Sequence, residues 1–385
     1  MRTLAVGLME GREVVEVELI GKWHELPAGR HRLVGPITLK PRDPLASFAI
    51  DDITIGIGFH WERRERQEFR GGLRVIREAS GLTVINDVEL EDYVTSVISS
   101  EMSAACPLEL LKAHALISRS WMWYPKANPQ QRGPGTEWIR KPREIIRWYG
   151  RESHEQFDVC ADDHCQRYQG ITKVFSPEAA RAVSETAGEM LTFGGEVCDA
   201  RFSKCCGGRS EDYSVAWDDK PVPYLVPVTD PWCDTHDREL LRKILPSFDQ
   251  ETRDFFRWRV EYEPEELGGI VKGRLGMDLG PIRDLEPLGR GASGRIYRLR
   301  IVGSAGEIIV GKELEIRRAL SRSHLYSSAF DVVHKGGKIV LNGMGWGHGV
   351  GLCQIGAAVM ASNGKGYKEI LSFYYPATEC TDYTA

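Results

Sequence analysis

The run from Gly343 to Gly351 constrains the fold more than any other stretch of this chain. Glycines at positions 343, 345, 347, 349 and 351 alternate with larger residues. Each glycine loses much backbone entropy when it becomes ordered, so this composition favours neither a helix nor a strand. It is typical of backbone that turns sharply or approaches a ligand closely. His348 within the run and Gln354 just after it are therefore predicted to line a groove.

The composition is that of an ordinary globular protein. Of the 385 residues, 42% are hydrophobic and 27% are charged, and the formal net charge is −5. Because no basic tract is present, nucleic acid and anionic membranes are poor candidates as partners. No apolar run reaches the roughly 18 residues that indicate a membrane-spanning helix. The first residues lack a charged-then-apolar secretory signal, which leaves two expectations, a cytosolic protein or a trimmed extracytoplasmic one.

Two periodicities predict an α+β fold, with a mixed sheet around a buried helical pair. Alternation predicts strands over residues 3–8 and 13–20, and a hairpin that turns near Ser80. After residue 89 the apolar spacing becomes helical, and a second, largely apolar helix is predicted between Pro107 and Pro125. Further strands are predicted over 257–262, 282–288, 295–302 and 307–310, and helices over 312–320 and 367–374.

Glu101 stands where the first helix should carry an apolar residue. The apolar stripe reaches position 101 both from Val97, four residues earlier, and from Ile98, three residues earlier. Burial raises the pKa of a carboxyl group, and a Glu tuned upward can donate and accept a proton near neutral pH. Two other interpretations remain: the helix ends near Ser100 and Glu101 turns to solvent, or Glu101 pairs with Arg119 on the second helix.

Four potential zinc ligands lie close together in the segment 125–175, which is predicted to be irregular: His154, Cys160, His164 and Cys165. Zinc prefers four nitrogen or sulfur ligands in a tetrahedron. Their spacing is not that of a standard zinc finger, and surface histidines beside unrelated buried thiols would give the same pattern. Four ligands would make a structural site, whereas three would leave a position for metal-assisted hydrolysis.

Two other stretches carry weaker signals. Cys205 and Cys206 precede a glycine pair, and they are either a nucleophile with His348 as its base, or packing residues or metal ligands. The nine cysteines are odd in number and scattered, which excludes a simple disulfide framework. Residues 289–294 match G-x-G-x-x-G, but a strand pattern follows and the companion motifs of a kinase are missing. This stretch is predicted to be a hairpin turn.

Four ordered stretches resemble the signature of the SpoIID/LytB family. Residues 90–121 resemble its two helical motifs, with Glu101 in the family's Glu-Met pair, and the glycine-rich run resembles G-x-G-H-G-V-G-M-S-Q-x-G-A. Residues 202–211 and 369–376 resemble its two remaining motifs. The chain departs from the family at His114 for a usual Gln, at residues 118–121, and at Cys353 for a usual Ser. The resemblance covers residues 75–380.

The resemblance implies a peptidoglycan lytic transglycosylase. Such enzymes cut the bond between N-acetylmuramic acid and N-acetylglucosamine and leave a 1,6-anhydro ring, with Glu101 expected as the single acid and base. The resemblance also implies a structural zinc ion on His154, Cys160, His164 and Cys165. It further implies action in the periplasm or cell wall on glycan strands, although a cytoplasmic place remains open. The alternatives are a non-catalytic amidase enhancer, with a cell-wall amidase as partner, and a zinc amidase.

The remaining expectations concern substrate binding and domain organisation. Arg119 and Lys112 are predicted to hold or tune Glu101, while Ser203, His348 and Gln354 are predicted to bind sugar hydroxyls or N-acetyl groups. Trp346 is expected either to stack on a sugar or to belong to the core. Residues 1–75 are predicted to be a β-rich docking or scaffold region. Residues 76–380 are predicted to be the catalytic domain, with the zinc loop inserted around 125–175.

Overall fold

The chain folds into helices packed against several separate sheets, the mixed α+β class that the sequence predicts. The structure is a computed structural model, and it describes residues 3–59, 61–128, 137–149, 154–246, 249–251 and 255–383. The helices are α1 Leu90–Glu101, α2 Leu108–Ala127, α3 Pro177–Glu185, α4 Tyr213–Ala216, α5 Arg238–Ile244, α6 Pro264–Leu275, α7 Glu313–Ala319, α8 Gln354–Ser362 and α9 Tyr367–Tyr374.

The strands are short and spread along the whole chain. They are β1 Thr3–Arg12, β2 Val15–Ile20, β3 Gly29–Leu33, β4 Ile37–Leu39, β5 Ser47–Ile55, β6 Arg63–Arg70, β7 Gly72–Glu78, β8 Gly81–Glu89, β9 Glu137–Lys141, β10 Glu144–Trp148, β11 Val159–Cys160, β12 Glu189–Phe193, β13 Glu196–Val197, β14 Phe202–Ser203, β15 Arg257–Tyr262, β16 Ile282–Arg290, β17 Ile296–Gly303, β18 Glu307–Gly311, β19 Phe330–Lys335, β20 Lys338–Met344, β21 Leu352–Cys353 and β22 Glu379–Asp382.

Two hydrophobic clusters organise these elements. The first cluster joins the sheets β11-β1-β8-β7-β4 and β3-β2-β5-β6 to helices α1, α2, α3, α8 and α9. The second joins the sheets β16-β17-β18-β10-β9 and β15-β20-β19 to helices α6 and α7. The two-stranded parallel sheet β14-β21 lies in the first cluster and brings residues 202–203 beside residues 352–353. The glycine-rich run thus leaves the second cluster on β20 and enters the first on β21.

Helix α1 buries one of its faces and ends at Glu101, as the apolar stripe predicts. Two of its buried hydroxyls cost little because they bond within the helix. Ser99 Oγ donates to the carbonyl of Thr95 at 2.8 Å, and Ser100 Oγ donates to that of Ser96 at 2.7 Å. The buried face of the helix continues to its last residue, so the side chain of Glu101 lies in the core.

Helix α2 ends two residues later than predicted, because Pro125 lies inside its last turn instead of ending it. A proline has no backbone N–H, so the last turn of α2 contains one helical hydrogen bond fewer. Asn128 closes the helix, since its backbone N–H donates to the carbonyl of Tyr124 at 2.9 Å.

The prediction of an irregular segment over residues 125–175 is wrong in part. Residues 137–148 form the hairpin β9–β10, and β10 pairs in parallel with β18. The aromatic and β-branched residues on either side of Pro142, in Trp-Ile-Arg and Ile-Ile-Arg-Trp, carried this signal. The segment is thus partly built into the second cluster.

The other strand expectations agree with the structure. The hairpin near Ser80 is β7–β8, with Glu78 opposite Gly81. The G-x-G-x-x-G stretch closes the antiparallel pair β16–β17, which confirms a hairpin turn.

The predicted domain boundary after residue 75 lies inside β7, and β1 pairs with β8 in the same sheet. No break in sheet hydrogen bonding marks that boundary. No helix in the described ranges is long and apolar enough to cross a bilayer.

Candidate functional site

Glu101 is buried at the end of α1, with 9% of its surface exposed. Its Oε1 accepts a hydrogen bond from the backbone N–H of Arg167 at 3.0 Å, and its Oε2 lies 4.0 Å from Arg167 Nε. Burial raises the pKa of Glu101, and the nearby Asp163 carboxylate raises it further, against the opposing charges of Arg167 and Lys204. The expectation that Glu101 turns to solvent is therefore wrong.

A network of buried charges surrounds this carboxyl group. Arg167 Nε contacts Asp163 Oδ1 at 2.5 Å and its Nη1 contacts Asp249 Oδ2 at 3.4 Å. Lys204 Nζ contacts Asp249 Oδ2 at 2.7 Å and donates to the backbone carbonyl of Glu101 at 2.8 Å. In this network the two cations balance the two aspartates, so an ionised Glu101 would add an uncompensated negative charge. The charge count and the burial thus favour the neutral acid.

Trp61 closes one side of this network. The Arg167 guanidinium lies 4.5 Å from the centre of the Trp61 ring, a cation–π geometry. Trp61 also stacks on Phe59, and Phe59 on His324. The strand region of the N-terminal part therefore contributes directly to the surroundings of Glu101.

The glycine-rich run has the sharp turns that its composition predicts. Gly345, Gly347, Gly349 and Gly351 all have positive φ angles. At Gly349 an added Cβ would lie 2.4 Å from Arg295 Cζ, so only glycine leaves room for this fully buried guanidinium. Arg295 donates to the carbonyl of Gly347 at 3.0 Å and to that of Cys206 at 3.1 Å. The run is thereby fixed against the 205–208 turn.

His348 lies in this run and is partly buried. Its Nδ1 accepts the backbone N–H of Val350 at 3.0 Å, and its ring meets the Trp217 ring edge-on at 4.8 Å. Burial, together with the charges of Arg201 and Arg295, lowers the pKa of His348 well below its usual range. The imidazole is therefore neutral and holds the loop, and a contact with a sugar remains a prediction.

Ser203 and Gln354 differ in what the structure allows. Ser203 Oγ is buried and has no hydrogen-bond partner within the described part of the chain, and its contact with a sugar remains a prediction. Gln354 is 1% exposed, and its Nε2 bonds His114 Nε2 at 2.9 Å. The prediction that Gln354 lines a groove is wrong, because its amide satisfies a buried histidine in the core. His114 and Gln354 together form this internal pair.

Arg119 and Lys112 do not contact Glu101 in the structure. Arg119 is fully buried and forms a two-pronged ion pair with Glu91, with contacts of 3.0 and 2.6 Å. Its third contact is the carbonyl of Glu189 at 2.8 Å. Lys112 pairs with Glu109 and Glu185 at 2.9 and 2.7 Å. The sequence-based assignment of both to Glu101 is corrected: their charges are used by these other partners, and Arg167 and Lys204 take their place.

The four predicted zinc ligands converge. One ligand atom from each of His154, Cys160, His164 and Cys165 lies within 4.8 Å of the other three. Cys165 Sγ is 3.4 Å from His154 Nε2 and 3.5 Å from His164 Nδ1. These separations fit the edges of about 3.5 Å expected for a tetrahedron with zinc–ligand bonds of about 2.0–2.3 Å. Hydrogen bonding from Cys165 lowers the pKa of Cys160 to about 2, against the effect of burial, and the histidines add to it.

The loop that carries these ligands also carries the partners of Glu101. Asp163 lies between two ligands in sequence, and Arg167 follows Cys165 by two residues. On the other side, the Cys160 strand pairs with β1, and Asp162 Oδ1 accepts the backbone N–H of Gly56 at 3.0 Å. Any interaction that holds this loop in place therefore also holds Asp163 and Arg167, whose charges act on the pKa of Glu101.

Cys205 and Cys206 do not form a nucleophile pair with His348. Cys206 Sγ instead contacts Asp230 Oδ2 at 3.2 Å and Cys233 Sγ at 3.5 Å. The contacts of Cys206 agree with the interpretation of these thiols as metal ligands or packing residues.

Trp346 packs against Phe255 and Tyr326, so its ring contacts other aromatic side chains of the protein.

Sequence reasoning missed Arg167, Lys204, Asp163 and Asp249. Lys204 follows Ser203 directly in a recognised motif, and Arg167 adjoins the zinc-ligand stretch, so proximity to these motifs was an available signal for both. Asp249 lies in a stretch that carries no motif. Nothing in its local pattern distinguishes it from a surface aspartate.

Comparison with known proteins adds family information to this geometry. A family model described as "Stage II sporulation protein" matches residues 78–193, which include Glu101 and the four clustered His and Cys ligands. A second model, described as a domain of unknown function (DUF8618), matches residues 211–351. The first match spans the carboxyl group and its loop, and the second spans the whole glycine-rich run.

Individual relatives span most of the chain. An uncharacterized protein of Brachyspira hyodysenteriae is 28% identical over 320 residues, 82% of this chain and 73% of the relative. A stage II sporulation protein D of Bacillus amyloliquefaciens is 26% identical over 300 residues, 77% of this chain and 76% of its own. An amidase enhancer of Bacillus subtilis is 27% identical over 233 residues, 53% of this chain and 32% of its own.

Proposed function

The chain belongs to the SpoIID/LytB family, and from that premise we propose that it is a lytic transglycosylase of the bacterial cell wall. Its substrate would be the glycan strand of peptidoglycan, cut between N-acetylmuramic acid and N-acetylglucosamine. The proposed place of action is extracytoplasmic, in the periplasm or wall. A role at the cell wall follows from the family, whereas the reaction is the part that needs experiment.

The observation that carries the proposal is the burial of the Glu101 carboxyl group at the end of α1. Because Oε1 already accepts the Arg167 N–H, the proton of the neutral acid is carried on Oε2. Burial raises the pKa of this group, so it keeps a transferable proton where an exposed Glu would have lost it. The side chain retains 11% of its surface for contact with a substrate oxygen.

One carboxyl group suffices for the proposed reaction. Oε2–H of Glu101 protonates the glycosidic oxygen as the bond to the muramic acid C1 breaks, and positive charge develops on that sugar ring. The C6 hydroxyl of the same sugar then bonds to C1, and its proton passes to the Glu101 carboxylate. The acid is thereby restored and no water is consumed. Asp163 and Asp249 are paired with Arg167 and Lys204, which leaves Glu101 as the proton carrier.

The test is the chemical form of the newly made sugar ends. The purified chain is incubated with glycan strands stripped of their peptides, and the products are weighed by mass spectrometry. Anhydro ends, lighter than hydrolysed ends by one water, are expected. Ends that carry the added water would contradict this mechanism and indicate a hydrolase.

The rate should depend on pH in a way set by Glu101. Only the protonated acid can start the reaction, so the rate falls as pH rises through the pKa of Glu101 in the folded protein. Since burial raises that pKa above its ordinary value, the falling limb should lie above the ordinary range of a Glu, about 4.3. Initial rates on soluble strands across pH give this limb. A limb at or below the ordinary range would argue against a buried acid.

We also propose that His154, Cys160, His164 and Cys165 hold one zinc ion. The distances fit a tetrahedron, and four protein ligands leave no open position for water. Zinc would supply a structural cross-link that holds the loop bearing Asp163 and Arg167, and no chemistry on the substrate. This argues against the zinc-amidase alternative.

Replacing Cys165 by Ser should remove one zinc ion per chain and lower the rate of anhydro-end formation about 100-fold, because Arg167 is no longer fixed against Glu101. Native mass spectrometry counts the metal, and the same strand assay gives the rate. Cys380→Ser is the matched control, a partly buried thiol outside the loop. Loss of zinc with full activity would show that the metal does not position the acid.

The amidase-enhancer match supports one alternative, a non-catalytic partner of a wall amidase. In that case the purified chain releases no anhydro ends by itself. It would instead raise the rate at which an added cell-wall amidase cleaves intact peptidoglycan. The two assays separate the alternatives without any variant.

A further inference from the structure

A second group of potential metal ligands lies in the core, apart from the His/Cys loop. It contains Cys206, Asp230, Cys233 and Cys353, all of them buried, with one ligand atom of each within 4.8 Å of the others. They come from three segments that are distant in sequence: the turn after β14, the loop before α5, and the start of α8. None of the four takes part in the reaction proposed above.

The separations within this group suit a tetrahedral metal. Cys206 Sγ is 3.5 Å from Cys233 Sγ and 3.2 Å from Asp230 Oδ2. A tetrahedron with zinc–sulfur bonds of about 2.3 Å has sulfur–sulfur edges of about 3.8 Å, so small shifts would seat the ion. All nine cysteines are free thiols in the structure, so these sulfurs remain available as ligands.

Two backbone N–H groups point at the sulfur of Cys353. Its Sγ accepts the N–H of Cys206 at 3.3 Å and the N–H of Gly356 at 3.4 Å, at the N-terminus of α8. These contacts hold the sulfur within reach of the other three groups. Gly356 permits the approach, because an added Cβ there would lie 2.4 Å from Asp230 Oδ2.

Asp230 is 1% exposed and lacks a cationic partner among the hydrogen bonds of the described residues. Its Oδ1 accepts the N–H groups of Trp232 and Cys233 at 2.8 and 3.2 Å. Its Oδ2 accepts the Tyr374 hydroxyl at 2.9 Å and faces the Cys206 thiol. A buried carboxylate is costly unless a cation or metal balances it, and a metal at the centre of the group would supply that balance.

We propose that Cys206, Cys233, Cys353 and Asp230 bind a second zinc ion. Soft thiolates favour zinc among divalent ions, and three sulfurs with one carboxylate complete its four-coordinate shell. With four protein ligands the site is structural. A zinc ion at this site would link the 205–208 turn to the end of the glycine-rich run, because Cys353 lies on β21, two residues after Gly351.

The test is a zinc count on the full chain, purified under reducing conditions and loaded with zinc chloride. Native mass spectrometry should find two zinc ions in the wild type, one in Cys233→Ser, one in Cys165→Ser and none in the double variant. Cys198→Ser is the control, a fully buried thiol outside both groups, and should keep two. A wild type with one zinc ion that only Cys165→Ser loses would overturn the proposal.

A second measurement does not require Cys233→Ser to fold. In Cys165→Ser the first site is disabled, and titration with Co²⁺ should give a thiolate-to-cobalt absorption band that saturates at one equivalent. The absence of the band would overturn the proposal. Peptide mapping without reductant supplies a further check, since a Cys206–Cys233 disulfide in protein purified with zinc would also overturn it.

Discussion

Glu101→Gln should reduce the formation of anhydro ends about 1,000-fold or more, because the proposed reaction uses one carboxyl group as both acid and base. Gln is neutral, like the protonated Glu, and its side-chain oxygen can still accept the Arg167 N–H that Glu101 Oε1 accepts at 3.0 Å. The surrounding charges also stay balanced. The fold should therefore be kept, with an unchanged thermal midpoint, while the rate falls. The falling limb of the pH profile should disappear from whatever activity is left.

Glu265→Gln is the matched control for this experiment. Glu265 lies exposed in the first turn of α6, on the second hydrophobic cluster, and the same chemical change there should leave the rate unaltered. If wild type and Glu101→Gln released the same anhydro products at the same rate, Glu101 would not be the acid. If neither released them but both stimulated an amidase, the enhancer alternative would hold.

The position of Glu101 was predictable because a helix has a fixed period. Val97 and Ile98 both project the apolar stripe onto position 101, so the spacing favoured burial of a carboxyl group, and the fold then excluded the alternative that Glu101 turns to solvent. The sharp turns of the glycine-rich run followed in the same way, from the conformations that only glycine adopts easily. Both inferences depend only on local backbone geometry, which can be predicted from the order of neighbouring residues.

The partners of Glu101 were not predictable in this way. Asp249 and Lys204 meet in the core although they lie 45 positions apart in the sequence, and no period relates them. The choice of Arg119 failed because a buried arginine takes the nearest carboxylate, which is Glu91 at 2.6 Å. Gln354 failed similarly, since an amide that could bind sugar serves equally well to satisfy His114. The type of a residue shows which kinds of hydrogen bond or ion pair it can form. The fold decides which partner it has.

The proposed zinc ligands were partly predictable from the sequence. His154, Cys160, His164 and Cys165 are close in sequence, so their meeting needs only a compact loop. The second group was half visible, since Cys205 and Cys206 suggested metal ligands, but Asp230, Cys233 and Cys353 belong to other segments. A site assembled from three segments has no sequence spacing to recognise.

Lys204→Met should lower the free energy of unfolding by about 3 kcal/mol, because it leaves Asp249 buried without its closest cation. Lys204 and Asp249 are 7% and 3% exposed and lie 2.7 Å apart. Although burial opposes it, the charges of Lys204 and Arg167 hold the pKa of Asp249 below its usual range. Because Arg167 remains 3.4 Å from Asp249 in the variant, the expected loss of stability lies at the lower end of the range for a broken buried ion pair. Urea denaturation measures the free energy of unfolding.

The double variant Lys204→Met with Asp249→Asn should be more stable than the sum of the two single changes predicts, by about 1 kcal/mol or more, since neither charge is then left alone. Lys272→Met is the surface control: Lys272 and Asp278 lie at the same 2.7 Å but are 60% and 61% exposed, and its loss should leave the urea midpoint unchanged. Because Lys204 also donates to the Glu101 carbonyl, Lys204→Met should slow the reaction as well. Strictly additive effects would mean that the pair is not coupled, and the charge balance argued for Glu101 would lose its support.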